Sequence, residues 1–254
     1  MNKPIHRTIL AALALALLSA LAGAQVPVSK EETITRQQAD AILNELRQIR
    51  QLLERQMANN AAAAQKPPAP IKAKLDLSGV NMLGSKDAPL TLVEFTDYQC
   101  PFCQHFHTTV FNDLKKNYVD TGKLRFYSRD LPLDIHSNAL RAAEAARCAA
   151  DQGQFWALRD AMGSNPDKLD MESLAGFAGG LKMDVGAFRS CVQSEKYKNA
   201  VQTDTLEALK IGADGTPAFV IGRSTPEGVD GELMVGAMPY PMFEEKLKAL
   251  GAAK

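Results

Sequence analysis

The chain has 254 residues, 46% of them hydrophobic, and its 29 Lys and Arg balance 29 Asp and Glu to a formal net charge of zero. No basic excess is available to neutralise phosphates, so nucleic acid is not an expected partner. No segment carries the ~20 consecutive apolar residues that a membrane-spanning helix requires.

The chain opens with the three parts of a secretory signal over residues 1–24. Lys3 and Arg7 give the positive start, Ile9 to Leu21 the apolar centre, and Ala22-Gly23-Ala24 the small-residue cleavage site. The predicted mature protein begins near Gln25, carries two more acidic than basic residues, and occupies an oxidising compartment, most simply a bacterial periplasm. Peripheral association with the outer membrane is compatible with this reading. No cysteine follows the cleavage site, so a lipid anchor is not expected.

Residues 25–58 form the next segment, with a helix predicted over 31–57. Ala39, Ile42, Leu46, Ile49 and Leu53 recur at spacings of three and four among Glu45, Arg47, Arg50, Glu54 and Arg55. This short a/d seam suits pairing with further copies of the chain, giving a homo-oligomer; a helix packed on its own domain or a solvated stalk is the alternative. Residues 59–74, with Ala61 to Ala64 and Pro67-Pro68-Ala69-Pro70, predict an extended linker.

From residue 75 to 254 the signals alternate between strand and helix. Leu90–Thr96 and Leu124–Ser128 predict parallel strands flanking a helix over 105–118, with Phe102, Phe106, Val110 and Leu114 on one face. Helical patterns then fill a stretch at about 132–212, including one over 184–193 capped by Asp184. Strands at Ala218–Ile221 and Leu233–Val235 and a closing helix from Pro241 complete an α/β pattern. The order βαβ, helical insertion, ββα predicts a thioredoxin-like fold with an inserted helical domain.

Cys100-Pro101-Phe102-Cys103 stands at the first strand-to-helix junction. Unpaired N–H groups and the positive end of the helix dipole favour a thiolate there, and the thiolate is the species that attacks disulfides. Four cysteines allow three pairings, and the local CxxC favours the one that leaves Cys148 with Cys191. In an oxidising compartment that second pair reads as a structural disulfide closing a loop of roughly 40 residues. The alternative is two small buried apolar side chains. His105 and His107 lie close to the CxxC, but a closed metal site needs more ligands, so no metal or other cofactor is predicted and both read as surface or groove residues. His136 reads as a turn or helix-start residue, and Asp97 as a loop or cap residue near the surface.

Phe95-Thr96-Asp97-Tyr98-Gln99-Cys100-Pro101-Phe102-Cys103, followed by Gly215-Thr216-Pro217-Ala218-Phe219, resembles the DsbA-like thiol–disulfide oxidoreductases of the thioredoxin superfamily, over about residues 80–250. The resemblance implies that Cys100 attacks, that Cys103 resolves, and that Thr216-Pro217 is a cis peptide bond facing the sulfurs. By itself the Gly-Thr-Pro run reads as an ordinary trans turn leading into a strand. With Pro101 and Phe102, these residues would flank a bound substrate. The superfamily's buried acid occupies the spacing of Glu94, where burial would raise its pKa and let it exchange a proton with Cys103; a solvent-facing edge-strand Glu is the alternative.

The family's best-known oxidase has histidine where this chain has Phe102, and threonine before the proline is also an isomerase feature, so the redox direction stays open. The expected function is formation or isomerisation of disulfides in secreted client proteins, with a membrane redox partner. A non-enzymatic periplasmic chaperone or a metal-binding thioredoxin-like protein is the contrasting reading.

Overall fold

The computed structural model describes residues 34–64 and 69–252, so the signal segment read at 1–24 lies outside the described residues. The chain divides into two compact units between Pro68 and Ala69. Among the described residues no helix is long and apolar enough to cross a membrane.

In the first unit, α1 runs Arg36–Ala64. Thr35 and Gln38 start it with reciprocal bonds, Gln38 N–H donating to Thr35 Oγ1 at 3.3 Å and Thr35 N–H to Gln38 Oε1 at 3.0 Å. The helix continues past 57 into the stretch read as linker, because alanine has the highest helix propensity. The seam residues Ile42, Leu46, Ile49 and Leu53 are all about half exposed.

The second unit is built on six described strands, β1 (Lys72–Asp76), β2 (Met82–Leu83), β3 (Leu90–Thr96), β4 (Leu124–Asp130), β5 (Ala218–Ser224) and β6 (Gly228–Val235), in the order β1-β6-β5-β3-β4-β2. β3 is central, pairing parallel with β4 and antiparallel with β5, so Glu94 lies between Ser128 and Phe219. Every residue of β3 and β4 is buried, as expected of strands covered on both faces. β1 begins at Lys72, inside the predicted linker. Its alternating Ala73 and Leu75 are buried by antiparallel pairing with β6, a partner 152 to 160 residues away (Asp76 with Gly228, Lys72 with Glu232) that no local signal reveals.

Helix α2 spans 101–119, with π-helical turns at Phe106–Val110 and Lys115–Val119. It packs on one sheet face with α8 (Tyr240–Ala252) through Phe106, Phe219 and Phe243, whose ring centroids lie 4.5–5.6 Å apart. Phe102, predicted to join that apolar face, remains 63% exposed in the first turn.

The inserted helices are α3 (Ala139–Ala150), α4 (Phe155–Gly163), α5 (Met171–Gly180), α6 (Val185–Gln193) and α7 (Lys198–Lys210). They enclose their own core around Ala142, Leu158, Met162, Leu174 and Phe188. Asp170 caps α5 by accepting from the N–H groups of Glu172 and Ser173, and Asp184 caps α6 by accepting from Ala187. α7 starts only at Lys198, because Glu195 has a φ of 51°, outside the helical range. Cys148 on α3 and Cys191 on α6 form a disulfide with a Cα–Cα distance of 5.9 Å.

Candidate active site

The chain turns from β3 to α2 within four residues. Cys100 is the residue before the helix, in extended backbone, and Pro101 supplies a first helical residue that needs no N–H partner. Cys100 and Cys103 are free thiols and both are buried. The Thr216-Pro217 bond is cis, and the Cys100 thiol donates to the Thr216 carbonyl at 3.5 Å. The structure therefore brings the CxxC and the Thr-Pro turn together across 116 residues of sequence.

The two sulfurs differ electrostatically. The hydrogen bond from Cys103 lowers the Cys100 pKa to about 5 against the opposing cost of burial, with further support from Thr216 and the backbone N–H groups of Cys103 and Phe102. Burial pushes the Cys103 thiol up, reinforced by Cys100 and by the charge of Glu94. The Asp97 N–H donates to Cys103 Sγ at 3.5 Å.

Glu94 has no exposed surface and sits on the central strand, not at an edge. Burial raises its pKa, while Arg159 opposes that rise by donating from Nη2 to Glu94 Oε2. Glu94 Oε1 has no hydrogen-bond partner. Glu94, Cys103, Gln104, His107, Arg159 and Gly163 line a small cavity with room for about one water molecule.

Asp97 is 1% exposed, which corrects the reading of a surface loop residue. Its carboxylate accepts from the N–H groups of Gln99 at 2.8 Å and Leu133 at 2.9 Å and contacts His136 Nδ1 at 2.8 Å. It thereby ties the CxxC loop to the segment after β4. His107 also departs from its expected surface position: its ring is largely buried beside Arg159 and Phe111.

A family model described as thioredoxin matches residues 78–230. The chain belongs to the thioredoxin family. A probable disulfide bond formation protein D of Bacillus cereus is 32% identical over 182 residues, covering 66% of this chain and 76% of that protein. The crystal structure of Wolbachia pipientis alpha-DsbA1 superposes with a TM-score of 0.62 at 26% identity, covering 69% of this chain and 92% of that one. Within the family this is a DsbA-like protein. A Na(+)/H(+) antiporter NhaA 3 of Salinispora tropica is 34% identical over 146 residues, where the chain spans only 22% of the relative's length.

Arg159 escaped the sequence reading. In Phe155-Trp156-Ala157-Leu158-Arg159 it resembles a solvated residue on an amphipathic helix, yet it is 2% exposed. The available signal was indirect: an acid in a buried strand calls for a cationic partner, but sequence does not say which.

Proposed function

We propose that this protein is a periplasmic thiol–disulfide oxidoreductase that forms and isomerises disulfides in secreted clients through a mixed disulfide at Cys100. The observation that carries this reading is the pairing of an acidified Cys100 thiol, held at a helix N-terminus against the Thr216 carbonyl, with a buried Cys103 whose acidity is suppressed. In the reducing direction the Cys100 thiolate attacks one sulfur of a client disulfide, and the other client sulfur leaves as a thiolate. Cys103 then gives up its proton and attacks Cys100 Sγ, which closes the Cys100–Cys103 disulfide and frees the second client thiol. Oxidation of a client runs the same steps backwards.

A stabilised thiolate favours the reduced protein and so makes its disulfide oxidising, which supports disulfide transfer to clients and reoxidation by a membrane redox partner. Exposed Phe102 and Pro101 flank the site where a client strand would lie along the Thr216-Pro217 backbone. Glu94 serves as proton partner of Cys103, and Cys148–Cys191 is structural. The domain order is a cleaved signal at 1–24, an assembly helix that ends at Ala64, a short linker and the DsbA-like domain from about residue 70 onward.

Self-association through α1 supports the isomerising part of the function. Its seam places Leu46 and Leu53 at a and Ile42 and Ile49 at d, an arrangement that favours three or four strands over two. Parallel alignment sets Glu45 at g against Arg50 at e of a neighbour, and Leu52 against Met57. Several CxxC sites would then act on one misfolded client.

The test is recovery of activity from a scrambled multi-disulfide protein in reducing glutathione, run beside oxidation of a reduced substrate. Recovery identifies isomerisation, and oxidation without recovery identifies a dedicated oxidase. Equal activity of Cys100→Ser in both assays would remove the enzyme reading.

A further inference from the structure

Arg159 and His107 form a buried pair next to the sulfurs that neither thiol needs for its own placement. Arg159 comes from α4 of the inserted domain, yet its guanidinium reaches the central strand and bonds Glu94. Its Nη1 lies 3.0 Å from His107 Nδ1 on α2. Arginine only donates, so His107 Nδ1 is the acceptor and the ring proton sits on Nε2, facing Asp160 at 3.6 Å. The guanidinium also lies over Phe111, Phe126 and Trp156, with centroid distances of 4.8, 5.4 and 5.6 Å. It is held on several sides and aimed at one carboxylate oxygen.

Gly163 completes the seat. A Cβ there would stand 2.4 Å from His107 Cδ2, so the end of α4 leaves room for the ring only as glycine. Around Glu94 the titratable and charged groups are Cys103 and His107 on α2, Arg159 with Asp160 behind it on α4, and Asp97 and Tyr98 in the loop after β3, where the Asp97 carboxylate is taken up by the N–H groups of Gln99 and Leu133 and by His136. Its strand neighbours Ser128 and Phe219 are uncharged, and Asp130 on β4 acts on Tyr98.

We propose that Arg159 is a positioning residue for the resolving step: bonded to Glu94 Oε2, it favours the carboxylate form and leaves the unpartnered Oε1 free to take the Cys103 proton, while His107 holds the guanidinium in place. This rests on the oxidoreductase reading above. In the step, the Cys103 S–H bond breaks and its proton passes to Glu94 Oε1, directly or through one water. The Cys103 thiolate attacks Cys100 Sγ, and the Cys100–client S–S bond breaks with its electron pair leaving on the client sulfur. When a client is oxidised the proton returns from Glu94 to Cys103. The inserted domain therefore contributes to the chemistry.

The measurement is glutathione release from a Cys100–glutathione mixed disulfide as a function of pH, in full-length protein. Without the guanidinium Glu94 stays protonated to higher pH, so Arg159→Met should move the midpoint of the release rate upward by about one pH unit or more. The Cys100 thiolate absorbance profile should stay in place, and Arg159→Lys should recover part of the shift. In a Glu94→Gln background Arg159→Met should add no further shift. His107→Phe keeps the ring's packing but removes the acceptor, and should shift the midpoint in the same direction; it serves as the test if Arg159→Met does not fold. A wild-type midpoint in the folded Arg159→Met protein, or an undiminished shift in the Glu94→Gln background, would overturn the assignment. Failure of wild-type protein to form the mixed disulfide would overturn the oxidoreductase reading along with it.

Discussion

Cys100 and Cys103 stand three residues apart and are driven in opposite directions by their surroundings. Cys100 takes the Cys103 hydrogen bond and the N–H groups of the first helical turn, whereas Cys103 lies deeper, beside Glu94. Alkylation of Cys100 in the reduced protein should therefore follow a titration centred near pH 5, and a midpoint near 9 would contradict the site description. Stability follows the same sign. A folded-state pKa below the ordinary 9.0 contributes stability that is complete above 9 and lost as pH falls through about 5. The melting temperature of the reduced protein, relative to Cys100→Ser, should drop as pH is lowered over that window. An unchanged difference would show that the thiolate gains nothing from the fold.

At the scale of elements, α1 differs from every other described helix in keeping its apolar stripe exposed, from Ile42 at 50% to Met57 at 71%. Burial against neighbouring copies, as proposed, would take that stripe out of water. Light scattering of the full chain should give a mass of three or four chains, and Leu46→Asp with Leu53→Asp should reduce it to one. A monomeric wild-type protein would end the assembly proposal without touching the active site. Capping is the other element-level control: Asp170→Ala, which removes both N–H acceptors at the start of α5, should cost about 1 kcal/mol in urea unfolding.

At the scale of the whole catalytic unit, the inserted helices are fastened to the sheet by charge and to one another by sulfur. Arg129 and Asp130 on β4 meet Arg147 on α3 and Asp204 and Glu207 on α7 in a largely buried ion network. The Cys148–Cys191 bond closes a separation of 43 residues. In the chain-entropy account a loop of that size is worth about 4 kcal/mol. Cys148→Ala with Cys191→Ala should lose up to about that much in chemical unfolding, while the pH midpoint of Cys100 alkylation stays in place. A shift of that midpoint would mean that the second pair is coupled to the first.

Local chemistry determined much of this protein. Strand signals marked β3 and β4, Asp184 announced the start of α6, and the CxxC at a strand-to-helix junction identified the reacting sulfurs, because helix ends and strand patterns depend on neighbours in sequence. The motifs also pointed to the fold and family. Tertiary structure alone decided the rest. Leu140 is 37% exposed, since the orientation of α3 is set by its alanines, Ala142, Ala145 and Ala146, packing closely on the other inserted helices. Asp97 and His107 were expected near the surface and are held inside. Arg159 lies 65 residues beyond Glu94, and only chain folding across that separation turns an ordinary helical arginine into the buried acid's partner.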